Sequence, residues 1–373
     1  MRLRARHYAT SELVDIVCER GRITTVEAPR GHADREAGWV SPPLFDLQIN
    51  GCDGISFNSN SLKVEDVHHV VDVCRRHGIG GICPTLVTNS FDALKHGFAT
   101  LARACDDSAM GDALPAFHLE GPYISGEDGP RGAHPKQFVR PPNWDEFRRW
   151  QEAAGGRIRL VTLAPELDGA LAFIERLCAV GIVVAIGHTA AVPAKIREAI
   201  AAGARLSTHL GNGSHAALPR HENYLWEQLA ADELWASMIC DGHHLPPALI
   251  RVILRAKGAA RAILTCDAGS LAGLPPGRYS DWGGEFEVLP EGKIVVPGTP
   301  FLAGSWAFTD YCVNHLLKLG DATLADAIDM ASARPRELLR LPPRRLEPGM
   351  PAELMLFDWQ PGEEFCVNEI ISA

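Results

Sequence analysis

The chain has 373 residues, 46% of them apolar and 22% charged, and a net charge of −10. It is long enough to bury a large core without staples, and its acidic balance argues against the broad basic surface of a nucleic-acid or anionic-membrane binder. Ten cysteines stand singly with no Cys-x-x-Cys, Met1-Arg-Leu-Arg-Ala-Arg-His-Tyr8 lacks the apolar core of a signal peptide, and no run approaches the ~18 apolar residues of a membrane span. Reduced thiols in a cytoplasmic protein are therefore expected.

In chain order, residues 1–43 hold two short strand-like runs, Leu13–Val17 and Ile23–Val26. Strand and helix patterns then alternate. Strands are predicted at Leu44–Asn50, Gly81–Thr88, Pro115–Glu120, Arg157–Leu163, Gly181–His188, Ala204–His209, Trp235–Asp241 and Ala262–Asp267. Helices Val64–His77, Pro193–Ala202 and Ala248–Lys257 each stop at a glycine, the usual C-terminal signal. Eight strands alternating with helices over about 225 residues suit a parallel (β/α)8 barrel, with a doubly wound open sheet as the alternative. Residues 336–373 return to short strands, Leu354–Phe357 and Phe365–Val367. The expected organisation is a small β-sandwich from residues 1–43 and 336–373 around a barrel of residues 44–335.

Several predicted strands deliver one polar residue at the carboxyl end, where a barrel keeps its active site. These are Gln48 and Asn50, Glu120, His188, His209, Asp241 and Asp267. Glu120, His188 and His209 form a two-imidazole, one-carboxylate set of the kind that holds a catalytic zinc and leaves a position for water. Asp267 is placed to take a proton from that water, whose pKa falls from about 15.7 toward roughly 7 on a metal. A lone strand-end histidine is more often a hydrogen-bonded core residue, and a lone aspartate a helix cap. Four such positions in one barrel are less easily explained that way.

The ordered motifs carry a resemblance. Phe45-Asp-Leu-Gln-Ile-Asn-Gly-Cys52, Pro84-Thr-Leu-Val-Thr88, His118-Leu-Glu-Gly-Pro122, Val161-Thr-Leu-Ala-Pro-Glu166, Gly187-His188, Thr208-His-Leu-Gly-Asn212, Asp241-Gly-His-His244, Thr265-Cys-Asp-Ala268 and Leu302-Ala-Gly-Ser305 resemble the N-acetylglucosamine-6-phosphate deacetylases of the metal-dependent amidohydrolase superfamily. The resemblance implies a (β/α)8 barrel with a β-sandwich from both termini. It implies hydrolysis of the N-acetyl group of an amino-sugar phosphate by a homodimer. Glu120, His188 and His209 match metal ligands, and Asp267 the general base and acid. His134 matches a histidine that polarises the amide. Asn212, Gly213 and His244 match substrate-binding positions. Arg220 matches a phosphate-binding arginine that a neighbouring subunit can supply. Gln48 and Asn50 stand where many amidohydrolases carry His-x-His, which implies one divalent ion per chain, zinc, with the two amides orienting the site by hydrogen bonds.

The chain departs from the family pattern at Gly213-Ser214, along the loop His215–Trp226, at His243, and after Ala268. These changes leave the hydrolytic residues intact and fall where sugar and phosphate are expected. Arg220, His221, His243 and His244 are the cluster available to an anion. The alternatives are a deacetylase of another, unphosphorylated N-acetylated sugar or N-acyl amine, and a non-catalytic barrel that binds an acetylated sugar.

Overall fold

The computed structural model describes residues 1–281, 284–299 and 302–373. Eight parallel strands lie at its centre: Leu44–Ile49, Ile79–Val87, Phe117–Glu120, Ile158–Leu163, Val183–Ile186, Leu206–Ser207, Trp235–Ile239 and Ala262–Thr265. Each pairs with the next in chain order. An order that never reverses rules out the doubly wound alternative, whose strand order switches direction at its centre. The first and eighth strands meet through a parallel bridge between Ile49 and Ala268. The buried carboxylate of Asp46, on the first strand, accepts from Thr265 Oγ1 at 2.5 Å and Cys266 N at 2.9 Å on the eighth. The sheet is thus a barrel.

A helix follows each strand: Val64–Arg76, Phe91–Ala104, Trp144–Ala153, Ala170–Ala179, Pro193–Ala202, Tyr224–Ala230, Pro247–Lys257 and Thr309–Leu319. Each turns an apolar stripe to the sheet. In the first, Val67, Val70, Val71 and Cys74 fall at helical spacing and are buried in the main core. No helix among the described residues is long and apolar enough to cross a membrane.

Both termini build one six-stranded sheet, in the spatial order Cys366–Ser372, Glu353–Asp358, Arg35–Ser41, Arg2–His7, Leu13–Glu19 and Arg22–Glu27. It curls until Ile23 exchanges backbone bonds with Gly349 and Met350, at 2.8 and 2.9 Å. Leu3, Ile16, Val40, Leu354 and Leu356 fill the interior. Two of its strands, Arg2–His7 and Arg35–Ser41, were not among the predicted elements. The first alternates charged and apolar side chains, a period-2 signal that was available. After the eighth barrel strand comes a further unpredicted piece, an antiparallel sheet of Gly277–Asp281, Gly284–Leu289 and Lys293–Val295.

Candidate metal centre

Glu120 is the last residue of the third strand. His188, His209 and Asp267 each lie two residues past the end of theirs, which are therefore shorter than predicted. The cause is local. All three take positive φ values, 51°, 29° and 54°, which break the strand and swing the side chains over the barrel mouth. A left-handed backbone costs a non-glycine residue about 1–2 kcal/mol and persists where surrounding bonds enforce it. His209 N donates to Ser237 Oγ at 2.8 Å, and Asp267 O accepts from Ser305 N at 3.0 Å. The turn after His188 is held by the Glu166 carboxylate, which accepts from Thr189 Oγ1 and Ala190 N, both at 2.6 Å.

The result is a tight convergence. Glu120 Oε1 lies 3.1 Å from His188 Nε2 and 3.0 Å from His209 Nε2, and the two nitrogens are 3.1 Å apart. All three side chains are buried. His188 Nδ1 donates to Pro130 O at 2.8 Å, which fixes its tautomer and leaves Nε2 as a lone pair facing the others. Such a donor set, two imidazoles and a carboxylate crowded into one buried point, fits a divalent metal ion. His134 also brings a ligand atom within 4.8 Å of those of Glu120 and His188. The trio with His209 is the tighter one. His134 instead anchors Nδ1 on Thr88 Oγ1 at 2.8 Å, and burial pushes its pKa down to about 3, so it is neutral.

Gln48 and Asn50 lie on the other side of Glu120. Gln48 Nε2 donates to Glu120 Oε2 and to Asp267 Oδ1, both at 2.9 Å, and Asn50 Nδ2 donates to Asp267 Oδ1 at 2.7 Å. The amide hydrogens occupy the space between the Glu120 and Asp267 carboxylates. Burial, and then the charge of Glu120, push the Asp267 carboxyl up to about 6. Asp267 is therefore a carboxylate at neutral pH with raised basicity, the property a general base needs.

These groups form the floor of a cavity of about 380 Å³. Asn212, Gly213 and His244 line it, as do His243, Lys293 and Gly304. Gln48 sits beneath, buried. Arg220 and His221 are exposed and do not line this cavity. At Gly213, with φ of +56°, a Cβ would stand 2.8 Å from His188 Nδ1, so a glycine here gives His188 room. The loop carrying it is tied across the mouth, since His215 Nε2 meets Glu127 Oε2 at 3.2 Å. Sequence reasoning did not bring forward Asp46, Thr88 and Glu166, which brace the site by hydrogen bonds, or Lys293, which lines the cavity. The first three sit inside the quoted motifs, whereas Lys293 sits in a turn-and-strand segment that signals only structure.

A scan against protein-family models found no match. Curated relatives are found over most of the chain. The N-acetylglucosamine-6-phosphate deacetylase of Danio rerio is 35% identical over 339 residues, covering 87% of this chain and 82% of the relative. The N-acetylgalactosamine-6-phosphate deacetylase of Escherichia coli O157:H7 is 30% identical over 345 residues, covering 91% and 89%. Among solved structures, an Asp-to-Ala mutant of the Mycobacterium smegmatis N-acetyl-D-glucosamine-6-phosphate deacetylase, in complex with N-acetyl-D-glucosamine-6-phosphate, superposes with a TM-score of 0.90 at 29% identity. It covers 100% of this chain and 97% of that one.

Proposed function

The chain belongs to the N-acetylglucosamine-6-phosphate deacetylase family, and from that premise we propose that it hydrolyses N-acetylglucosamine 6-phosphate to glucosamine 6-phosphate and acetate. The observation that carries the reading is the meeting of Glu120, His188 and His209 beside a buried, raised Asp267 carboxylate. A non-catalytic sugar-binding barrel has no use for a general base at that place.

A single zinc ion is the proposed cofactor, held by Glu120, His188 and His209. When bound it supplies Lewis acidity, which makes water a nucleophile near neutral pH and polarises a carbonyl. The protein's own groups do the rest. Asp267 takes a proton from the attacking water, and the Gln48 and Asn50 amides hold its carboxylate in one orientation. His134, neutral and fixed through Nδ1 on Thr88, presents its other nitrogen to the acetyl oxygen as charge develops there. Asp267 then returns the proton to the leaving nitrogen, because an amine departs poorly as an anion. Acetate and glucosamine 6-phosphate result.

The proposed assembly is a homodimer in which Arg220 reaches the neighbouring subunit's cavity. Two features support this: Arg220 makes no ion pair among the described residues, and Trp226, whose Nε1 donates to Arg220 O, is 50% exposed. Ten free cysteines support a reducing, cytoplasmic location.

The test is acetate release from N-acetylglucosamine and N-acetylgalactosamine, each with and without a 6-phosphate. N-acetylglucosamine 6-phosphate is expected to give the highest kcat/KM. A higher value for N-acetylgalactosamine 6-phosphate would move the chain to the chemistry of its Escherichia coli relative, and no release from any of the four would sink the reading.

A further inference from the structure

We propose that Lys293 is the cationic arm of an anion subsite in this chain's own cavity, seated there by His243, and that it makes the site prefer phosphorylated over unphosphorylated N-acetyl amino sugars. The inference rests on the deacetylase reading above and adds the residue that selects the substrate's anion.

Among the described residues that line the cavity, Lys293 is the one lysine or arginine. It is half-buried and forms no ion pair or side-chain hydrogen bond among the described residues. The floor below it carries Glu120 and Asp267 in a chain of net charge −10. A phosphate bearing about −1.5 to −2 charges is favoured there by a cation in the cavity's own lining, beside any arginine that a neighbouring subunit contributes. Arg220, the cation that motif matching brought forward, does not line the cavity of its own chain.

The second group of the subsite is His244. Its Nδ1 bonds Asp241 Oδ2 at 2.7 Å, and that carboxylate also accepts from Ser305 Oγ at 3.0 Å and from the His243 and His244 amides at 2.8 and 2.9 Å. Asp241 is thereby saturated, and His244 keeps Nε2 for a ligand.

The backbone that carries Lys293 is held in place at the cavity rim. Lys293 opens the strand Lys293–Val295, which is tied on its far side to Leu302 and Ala303, with Ala303 N donating to Ile294 O at 3.2 Å. The preceding turn closes with Gly292 N on Leu289 O at 3.0 Å. Gly292 has φ of +76°, and a Cβ there would stand 2.9 Å from the Trp306 ring. His243 Nε2 donates to Glu291 O at 3.1 Å, which pins this turn to the loop that carries His244. The extra histidine after Asp241-Gly242 thus gains a role as a positioning residue, joining the two halves of the subsite.

Steady-state kinetics of Lys293→Met, Lys293→Arg and His243→Ala holoenzymes on N-acetylglucosamine 6-phosphate and on N-acetylglucosamine test this. Loss of one charge-assisted contact predicts a KM for the phosphorylated sugar about 10- to 100-fold higher in Lys293→Met. The kcat/KM loss should be at least about tenfold smaller for the unphosphorylated sugar, and Lys293→Arg should recover most of the difference. His243→Ala should show the same KM-selective pattern more weakly. If wild-type enzyme prefers the phosphorylated sugar while Lys293→Met loses kcat/KM equally on both, or on neither, the assignment of Lys293 is overturned and the substrate reading stands. If wild-type enzyme does not discriminate, both are overturned.

Discussion

The floor of the cavity is assembled from strand ends whose positions the barrel dictates, whereas its rim comes from two segments that reach it from outside the sheet. On the floor, Glu120, His188, His209 and Asp267 are buried, lie at or just beyond a strand, and meet through contacts of 2.7–3.1 Å with one another or with Gln48 and Asn50. On the rim, the loop from Gly211 to Trp226 and the sheet strand Lys293–Val295 are held by cross-links such as His215 with Glu127 and His243 with Glu291 O. The difference separates two tasks. The bond to be broken is set by parts that cannot move without unravelling the barrel. On the proposed reading, the molecule that carries the bond is set by rim parts that can be exchanged while the floor stays as it is.

The largest effect that would break this division is at Asp267. Asp267→Asn keeps the hydrogen-bonding shape but cannot carry a proton, so kcat should fall by on the order of 10²–10⁴-fold. KM should change little, measured by acetate release. Near-wild-type turnover would remove Asp267 from the floor's chemistry.

A pH profile sharpens the same point. Burial and the Glu120 charge push Asp267 up to about 6, and a bound cation acts in the opposite direction. The base must be ionised to work, so activity is lost as pH falls through that value. The acid limb of kcat/KM should lie at or below about pH 6 and fall roughly tenfold per pH unit. An acid limb above pH 7 would contradict the assignment.

The smallest expected effect lies where rim meets floor. Gly213→Ala places a Cβ against the His188 ring in a left-handed backbone, and such a change costs about 1 kcal/mol or more of stability. Thermal unfolding should report it, and a weaker hold on the metal should accompany it. An unchanged midpoint with unchanged metal content would show that the rim loop can yield without disturbing His188.

The division also explains what was legible in the sequence. Glu120 ends a short apolar run before Gly121-Pro122, and His188, His209 and Asp267 end similar runs, so the floor showed itself as a repeated local pattern. All eight barrel strands were visible for the same reason. The exact strand ends were not, because the positive φ at His188, His209 and Asp267 is imposed by bonds to distant residues such as Ser237 and Ser305. Lys293 left no trace, since its place at the cavity depends on a tertiary hydrogen bond from His243 and on the packing of Gly292 against Trp306. Arg220 shows the converse: a motif match can single out a residue, yet it cannot say whose cavity the side chain serves.

The central claim is that Glu120, His188 and His209 hold one metal ion while Gln48 and Asn50 fill the place of a second. Metal analysis of the purified, folded enzyme tests it most directly, with the His188→Ala/His209→Ala double variant alongside. The account predicts about one divalent ion per wild-type chain and essentially none in the double variant. Two tightly bound ions per chain, or a double variant that keeps its metal, would contradict it.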